Sequence, residues 1–218
     1  MGPDGFSVDS RHIAPANAVF EAAFSAFARG TLIATPGGQR AIEDLLPGMP
    51  VETEKGPMPI AWIGSMAMVP SAPVESPELV RMTRIMADTF GFSRPMPDLV
   101  LGSGARLLRV PEALREMSTQ TRILTPAHAF VDGVNVIEVT PPTPVALFHL
   151  CLPQHAIIRA AGLEVETYHP GADTLQGMGQ NMKALFMSLF PHLNGLDGFG
   201  PLAHPRAGQT TLESLATA

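Results

Sequence analysis

The residues of this sequence that could do chemistry are one cysteine and a set of histidines in its second half. Cysteine thiolates and imidazoles serve proteins as nucleophiles, general bases and metal ligands. Cys151 lies in an apolar run, which predicts a small buried side chain and excludes an internal disulfide or a thiolate metal cluster. His149 and His155 lack the i, i+2 or i, i+4 spacing that brings two imidazoles together. We therefore expect no metal and no other cofactor.

Two further patterns could carry chemistry, namely a pair of carboxylates and a glycine-rich loop. Glu164 and Glu166 share one strand face because alternate strand residues point the same way, and without a partner group nearby they predict a solvated face. The run Gly102-Ser103-Gly104 is not followed by Gly-Lys-Ser/Thr or by a helix start, so it does not indicate a phosphate loop. Neither pattern predicts a hydrolytic or nucleotide site.

Composition narrows the classes of partner. The chain has 218 residues, 45% of them hydrophobic and 16% charged, which is typical of a globular protein. Its formal net charge is −6 without a cluster of Lys or Arg, which argues against nucleic acid. The most apolar stretch, residues 145–161, is interrupted by polar residues and proline, so no membrane span is predicted. The start lacks the features of a Sec signal peptide, which leaves a cytoplasmic location or export by a non-Sec route.

The elements that must position these residues are short. Twenty glycines and 22 prolines divide the chain into brief apolar runs separated by turns, a pattern typical of a mainly β fold. Apolar residues at helical spacing predict one amphipathic helix that begins at Asp173 or Thr174 and ends at Pro191. We predict an N-terminal segment (1–25) with a short helix within 16–27, a β domain (26–172), the C-terminal helix packed on it (173–193) and a flexible tail (194–218).

Several motifs follow one another in an order that resembles a known family. They are Phe27-Ala28-Arg29-Gly30-Thr31, Ile42-Glu43-Asp44-Leu45 with Pro47-Gly48, Pro59-Ile60-Ala61-Trp62-Ile63-Gly64, Pro97-Asp98-Leu99-Val100-Leu101, Phe148-His149-Leu150, Glu166-Thr167-Tyr168-His169-Pro170-Gly171 and Leu189-Phe190-Pro191. Over residues 26–193 the sequence resembles the Hedgehog/intein (Hint) domain, in the form common in alphaproteobacteria. The resemblance implies a horseshoe-like β fold.

The resemblance also implies a self-directed acyl transfer, for which this sequence lacks two side chains. In the family a Cys or Ser at the first residue attacks the preceding carbonyl, and a histidine in a Ser/Thr-Pro-x-His block protonates the departing amide nitrogen. The first position falls on Ala26, and the histidine of the block Ser-Pro-Gln-His-Arg falls on Ala105, followed by Arg106. An alanine can neither attack a carbonyl nor donate a proton. The sequence therefore predicts an inactive domain, a scaffold or protein-interaction module rather than an enzyme.

Two alternatives stay open. Residual acyl-shift activity would use the hydroxyl of Ser25 or Thr31, with His128 of Thr125-Pro126-Ala127-His128 as the acid. An interaction-only function would place a protein partner on the methionines of the C-terminal helix, Met178, Met182 and Met187. The residues that we expect to line the vestigial site are Ala26, Thr31, Ala105, Arg106, His128 and His155. By the resemblance, His155 stands on the penultimate strand, where a hydrogen bond inside the fold is expected.

Overall fold

The structure, a computed structural model, describes residues 13–70, 80–110, 122–171, 174–175 and 177–207. Within these ranges lie two α-helices, α1 (Ala18–Ala22) and α2 (Gln180–Ser188). The strands of the same ranges are β1 (Phe27–Ala28), β2 (Leu32–Thr35), β3 (Gly38–Ala41), β4 (Pro50–Thr53), β5 (Gly56–Pro59), β6 (Trp62–Met68), β7 (Met82–Ile85), β8 (Leu99–Leu101), β9 (Arg106–Leu108), β10 (Leu124–Pro126), β11 (Val136–Val139), β12 (Val145–Cys151), β13 (Ile157–Ala160) and β14 (Leu163–Glu166). Short 3-10 turns cover Ile42–Asp44, Ala127–Phe130 and Leu196–Phe199. The mainly β architecture predicted from the sequence is confirmed.

Two antiparallel sheets carry the site. The first has the strand order β11-β7-β8-β1-β12-β6, so that β1 lies between β8 and β12. The second has the order β10-β9-β14-β13-β2-β3, and β4 branches from β13 and pairs with β5. Strand β1 thus enters the interior of the first sheet directly after the start of the Hint-like region. Strands β9 and β14 lie side by side in the second sheet, which brings Arg106 close to Glu166.

Turn chemistry fixes the hairpin that presents Glu166. Ala160 pairs with Leu163, which leaves Ala161 and Gly162 as a two-residue loop. Both loop residues have positive φ, 46° and 87°, the combination that a type I′ turn requires. Gly162 is further constrained because a Cβ there would lie 2.6 Å from the carbonyl oxygen of Ser93. The turn therefore sets the register in which β14 follows β13.

The buried side chains form two main clusters. The larger one fills the β unit, with Ile33, Ile42, Leu45 and Ile60 among its buried members. The second is largely aromatic and joins α1, α2 and the segment after α2, with Phe20, Tyr168, Phe186, Phe190 and Phe199 among its buried members. Trp62 packs against this second cluster at a centroid distance of 4.7 Å from Phe190. The helices are held on the β unit by this aromatic cluster.

Both predicted helices are present, but each is shorter than its predicted segment. The chain before β1 is helical only over α1, where the side chain of Asn17 accepts a hydrogen bond from the backbone N–H of Phe20 at 3.2 Å. Helix α2 begins at Gln180 with Gly179 as its N-cap, rather than at Thr174, whose hydroxyl donates to the carbonyl of Pro170. Asp173, the other predicted cap, lies outside the described residues. The glycines at 177 and 179 explain the late start, since glycine is a poor helix former.

The segment after α2 differs from the expected flexible tail. Residues 194–207 pack on the β unit, where Phe199 is buried and Arg206 forms a bridge with Leu124. Backbone hydrogen bonds join Leu124 N–H to Pro205 and Ala207 N–H to Leu124. Composition suggested flexibility because Gly and Pro are frequent there, but one aromatic anchor and one arginine suffice to fix the segment. Within the described residues no helix is long and apolar enough to cross a membrane.

Candidate functional site

Ala26 stands at the position where the family resemblance places the nucleophile. Its N–H donates to the carbonyl of Phe148 at 3.1 Å, and its own carbonyl accepts from the N–H of Gly102 at 2.9 Å. Ala105 lies on the same loop, and both alanine side chains are fully buried. The two predicted slots therefore approach each other in space, and each contains only a methyl group packed into the core.

The peptide bond between Ser25 and Ala26 keeps one feature that suits acyl transfer. The carbonyl oxygen of Ser25 accepts a hydrogen bond from the backbone N–H of Gly104 at 3.0 Å. A donor in this position would stabilise negative charge on that oxygen during attack on the carbonyl. This donor is present, and residue 26, where the resemblance places the attacking atom, is an alanine.

Two glycines allow this loop to lie directly on the chain before β1. A Cβ on Gly102 would lie 2.2 Å from the carbonyl oxygen of Ser25, and one on Gly104 would lie 2.7 Å from that of Ala22. Where the family block has Ser-Pro-Gln, this chain has Gly-Ser-Gly, and the two glycines occupy the points of closest approach. The two glycines of Gly-Ser-Gly thus permit the close packing of this loop against residues 22–25.

The groups of the alternative mechanism differ in their surroundings. The hydroxyl of Thr31 is buried and donates to the carbonyl of Ala28 at 2.7 Å. The hydroxyl of Ser25 lies 3.3 Å from that of Ser103. The N–H of Ala127, the residue before His128, donates to the carbonyl of Ala105 at 3.0 Å. His128 itself is exposed, whereas Ala26 and Ala105 are buried.

A buried ion cluster lies beside the vacant slots, centred on Glu166. This carboxylate is 1% exposed and contacts Arg106 at 3.1 Å, Arg206 at 3.1 Å and Nε2 of His155 at 3.4 Å. Burial by itself would raise the pKa of Glu166, but the contact with His155 and the two arginine charges outweigh it and lower the pKa to about 2. The expectation of a solvated carboxylate face is therefore wrong for Glu166, although Glu164 is 42% exposed.

The two predicted site residues that meet at this cluster are Arg106 and His155. Nδ1 of His155 accepts a hydrogen bond from the N–H of Ala203 at 2.9 Å, which assigns the ring proton to Nε2, the atom that faces Glu166. The predicted internal hydrogen bond of His155 is thus confirmed. Sequence reasoning missed Arg206 because it stands in the segment expected to be flexible. Nothing in the sequence around Arg206, which is rich in Gly and Pro, predicts its ion pair with Glu166.

His149 is fully buried next to the same cluster. Its ring makes edge-on contacts with Phe27 and Tyr168 at centroid distances of 5.7 and 5.3 Å. Burial disfavours the charged imidazolium and lowers the pKa of His149 to about 3. Its imidazole is therefore neutral at pH 7.

This buried histidine predicts acid sensitivity. A folded-state pKa below the unfolded value of 6.5 means that the unfolded chain binds the proton first, so stability is fully present above about pH 6.5 and falls as the pH drops towards 3. Between pH 7.5 and pH 4.5 we expect the wild type to lose about 2 to 3 kcal/mol of unfolding free energy through His149. Urea unfolding of His149→Phe at several pH values should show an unfolding free energy that falls less with decreasing pH than that of the wild type. An equally steep fall in the variant would show that His149 is not the cause of the acid sensitivity.

A cavity of about 190 Å³ lies between α1 and the β unit, beside Gly104. Its polar lining comes from Arg106, Glu166, His149, Tyr168 and His169, and its apolar lining comes mainly from α1. Nδ1 of His169 accepts from the N–H of Gly171 and its Nε2 faces the carbonyl of Gly200, both at 2.9 Å, so Nε2 carries the proton. Burial lowers the pKa of His169.

The remaining chemistry-bearing groups are structural. Cys151 is 2% exposed, as the sequence predicted, and burial raises the pKa of its thiol, which makes it a poor nucleophile. No group of three or more His, Cys, Asp and Glu among the described residues is arranged to hold a metal ion. Of the methionines predicted to form a surface on the C-terminal helix, Met178 lies before α2, and both Met178 and Met187 pack against the aromatic cluster. Met182 is 36% exposed.

Comparison with known proteins agrees with the motifs. The sequence profile of the Hint domain matches residues 25–172, which is more than half of the chain. The chain belongs to the Hint domain family. The match begins at the residue before Ala26 and ends after β14, so Ala26 and the loop 102–105 lie within the Hint domain. Of the ion cluster, Arg106, His155 and Glu166 lie within the matched residues and Arg206 lies beyond them. No curated protein matches the sequence.

Several solved structures are similar to this Hint domain. The intein-like bacterial domain from Clostridium thermocellum is 10% identical, covers 66% of this chain and 99% of its own, and has a TM-score of 0.46. The gp41-1 intein is 11% identical, with coverages of 66% and 98% and a TM-score of 0.42. The MchDnaB-1 intein is 13% identical, with coverages of 66% and 100% and a TM-score of 0.40.

Proposed function

We propose that this Hint domain does not cleave or splice itself and instead serves as a scaffold or protein-interaction module. Acyl transfer from the Ser25 carbonyl needs a nucleophile and an acid for the departing nitrogen. The positions that the family uses for them are the buried methyl groups of Ala26 and Ala105. The N–H of Gly104 on the Ser25 carbonyl could stabilise an oxyanion, but a polarised amide does not break without an attacking atom.

The observation that carries this proposal is the packing of the chain in front of the slot. Phe20 is 1% exposed and meets Phe186 of α2 edge-on at 5.6 Å. Phe24 lies 5.7 Å from Trp62, and Ala23 is fully buried. Cleavage between residues 25 and 26 would cut the covalent link to a helix that forms part of the aromatic core. A domain that keeps this segment as a core element gains stability from leaving the bond intact.

Intact-mass spectrometry tests the proposal. The freshly purified chain, incubated for days with and without a high concentration of a thiol, should stay a single species near 23.1 kDa, because the family position has no group that forms a thioester or ester. The matched control is Ser25→Ala, which should likewise stay a single, uncleaved species.

Loss of residues 1–24 or 1–30 from the wild type would contradict the proposal and favour the residual activity through Ser25 or Thr31, respectively, with His128. Sensitivity of that cleavage to Ser25→Ala or His128→Ala would then identify the groups involved. The hydrogen bond from Gly104 polarises the carbonyl of Ser25, whereas the hydroxyls of Ser25 and Thr31 would attack the carbonyls of residues 24 and 30, so this hydrogen bond does not favour the second function.

A further inference from the structure

Strand β6 forms one edge of the first sheet. With seven residues it is, together with β12, the longest strand in the described part of the chain, and among the described strands it pairs with β12 alone. The next strand in sequence, β7, lies on the far side of the sheet, with β8, β1 and β12 between them, so β6 and β7 do not form a hairpin. An edge strand of this length presents a row of backbone donors and acceptors to a neighbouring strand.

The register of β12 shows which backbone groups of β6 point outward. The N–H of Arg29 donates to the carbonyl of Ala146 at 2.9 Å, so the even-numbered residues of β12 face β1. The odd-numbered residues of β12 therefore face β6, because the two sides alternate along an antiparallel strand. Their partners are the even-numbered residues of β6, which leaves the N–H and C=O groups of Ile63, Ser65 and Ala67 on the outer side. Within the described ranges these groups make no backbone hydrogen bond.

The other sheet edges are protected in ways that β6 is not. The outward positions of β5 are Pro57 and Pro59, which have no N–H. On β11 the carbonyl of Val136 accepts from the N–H groups of Asp132 and Gly133 at 3.0 and 3.1 Å, and the C-terminal segment bridges to β10. Strand β3 has only four residues. Of the edges that the structure describes, β6 alone combines length with the absence of proline, charge and a covering segment.

The outer residues of β6 are small and uncharged. Ser65 and Ala67 are exposed, and Val69, directly after the strand, is 38% exposed. No residue from Trp62 to Val69 is charged. Two copies of a chain with a formal net charge of −6 repel each other, so an uncharged edge is where they can approach without opposing carboxylates.

The sequence of β6 is complementary to itself in one antiparallel register. When Ser65 lies opposite Ser65 of a second copy, Ile63 lies opposite Ala67 of that copy, and Met66 lies opposite its Gly64. In this register every outward N–H and C=O of residues 63, 65 and 67 has a partner, because opposed residues at such positions exchange both backbone hydrogen bonds. Each larger side chain also faces a smaller one, which suits close pairing of the two strands.

We propose that β6 pairs antiparallel with β6 of a second copy, so that the two first sheets join into one continuous sheet about a two-fold axis at Ser65. The inference rests on the proposed function and deepens it, because it names a second copy of this chain as the partner of the interaction module. Seven paired residues span about 24 Å in a sheet about 10 Å thick, which covers on the order of 500 Å² in total. Stable interfaces bury at least about 1,200 Å², so the expected dimer is weak, with a Kd of about 10 to 100 μM.

Sedimentation velocity of the full chain tests this inference. Over roughly 1 to 500 μM protein, a range that spans the expected Kd, the sedimentation coefficient should rise from that of a 23.1 kDa monomer to that of a dimer. Added sodium chloride should strengthen the association, because salt screens the repulsion between two anionic copies. A chain that stays monomeric over this range, even one that binds a different protein at β6, overturns the inference.

Two charge variants of one residue test the register. Ser65→Lys and Ser65→Glu should each raise the dimer Kd at least about tenfold, because residue 65 faces its own copy and like charges then meet. An equimolar mixture of the two variants should dimerise at least as tightly as the wild type, because opposite charges then meet at the two-fold axis. Ser65 is exposed, so both variants should fold, and circular dichroism checks this.

The matched control is Gln39→Lys, which adds the same charge to an exposed residue of the edge strand β3 and should leave the dimer Kd unchanged. The inference is overturned if Ser65→Lys dimerises as tightly as the wild type, if the mixture of Ser65 variants stays monomeric, or if Gln39→Lys weakens the dimer as much as Ser65→Lys does. Self-cleavage would appear as a loss of mass, whereas failure of this inference would leave an intact monomer, so the two failures are distinguishable.

Discussion

Replacing Glu166 by glutamine should destabilise the domain by about 3 to 5 kcal/mol, the range expected when one partner of a buried ion pair is removed. The side chain keeps its size, so the effect reports charge rather than packing. Arg106 and Arg206 would then lie beside a neutral amide, and Nε2 of His155 would lose the anion that it faces at 3.4 Å. Chemical denaturation with urea at pH 7.5 measures the loss.

The matched control for Glu166→Gln lies two residues earlier on the same strand. Glu164 is 42% exposed and contacts Arg122 at 3.3 Å on the surface, so Glu164→Gln should cost less than about 1 kcal/mol. Equal losses in the two variants would show that the cluster around Glu166 contributes no more than a surface ion pair. The Glu166 effect should also shrink at low pH, because a depressed pKa of about 2 means that its stabilisation is present above the unfolded value of 4.5 and is lost below it.

Gly102→Ala should be the most destabilising single methyl that can be added near the slots. The new Cβ would lie 2.2 Å from the carbonyl oxygen of Ser25 and 2.9 Å from its carbonyl carbon. These are backbone atoms held by the hydrogen bonds of Gly102 and Gly104 to residues 26 and 25, so they cannot rotate away. We expect a loss of about 3 kcal/mol in unfolding free energy, the upper part of the usual range for overpacking.

A glycine in a hairpin turn provides the control for Gly102→Ala. A Cβ on Gly37 would meet nothing closer than 3.8 Å, the hydroxyl of Thr35, so Gly37→Ala should change stability by less than about 1 kcal/mol. Urea unfolding of both variants at one pH makes the comparison. A small loss of stability in Gly102→Ala would mean that the loop 102–105 can move away from residues 22–25, and it would contradict the close packing of these two segments.

Much of the fold could be predicted from the sequence because its signals are local. Turn residues between short apolar runs predicted a mainly β fold, and the described residues contain the fourteen strands β1 to β14. The ordered motifs from Phe27 to Pro191 pointed to the Hint domain, and the family match over residues 25–172 bears this out. The prediction that Ala26 and Ala105 stand at the catalytic positions needed only the order of the motifs, because residue types are visible without coordinates.

The surroundings of the site could not be predicted because they depend on contacts between distant residues. Glu166 was expected on a solvated face, and only the packing of β14 against β9, with Arg206 returning from forty residues later, makes it the centre of a buried cluster. The same holds for Phe20, whose burial depends on Phe186 of α2. Local sequence patterns predicted neither the contact of Glu166 with Arg206 nor that of Phe20 with Phe186.

The sequence by itself determined the family and the mainly β fold, and the prediction that Ala26 and Ala105 replace the nucleophile and the acid also rests on the sequence alone. These properties depend on residue types and their spacing along the chain, which folding does not alter. Only the tertiary structure decided that the chain before β1 belongs to the core, that the segment to residue 207 is anchored, and that Glu166 is buried against Arg106 and Arg206. Burial and charge balance arise when residues distant in the chain meet, so they exist only in the folded molecule.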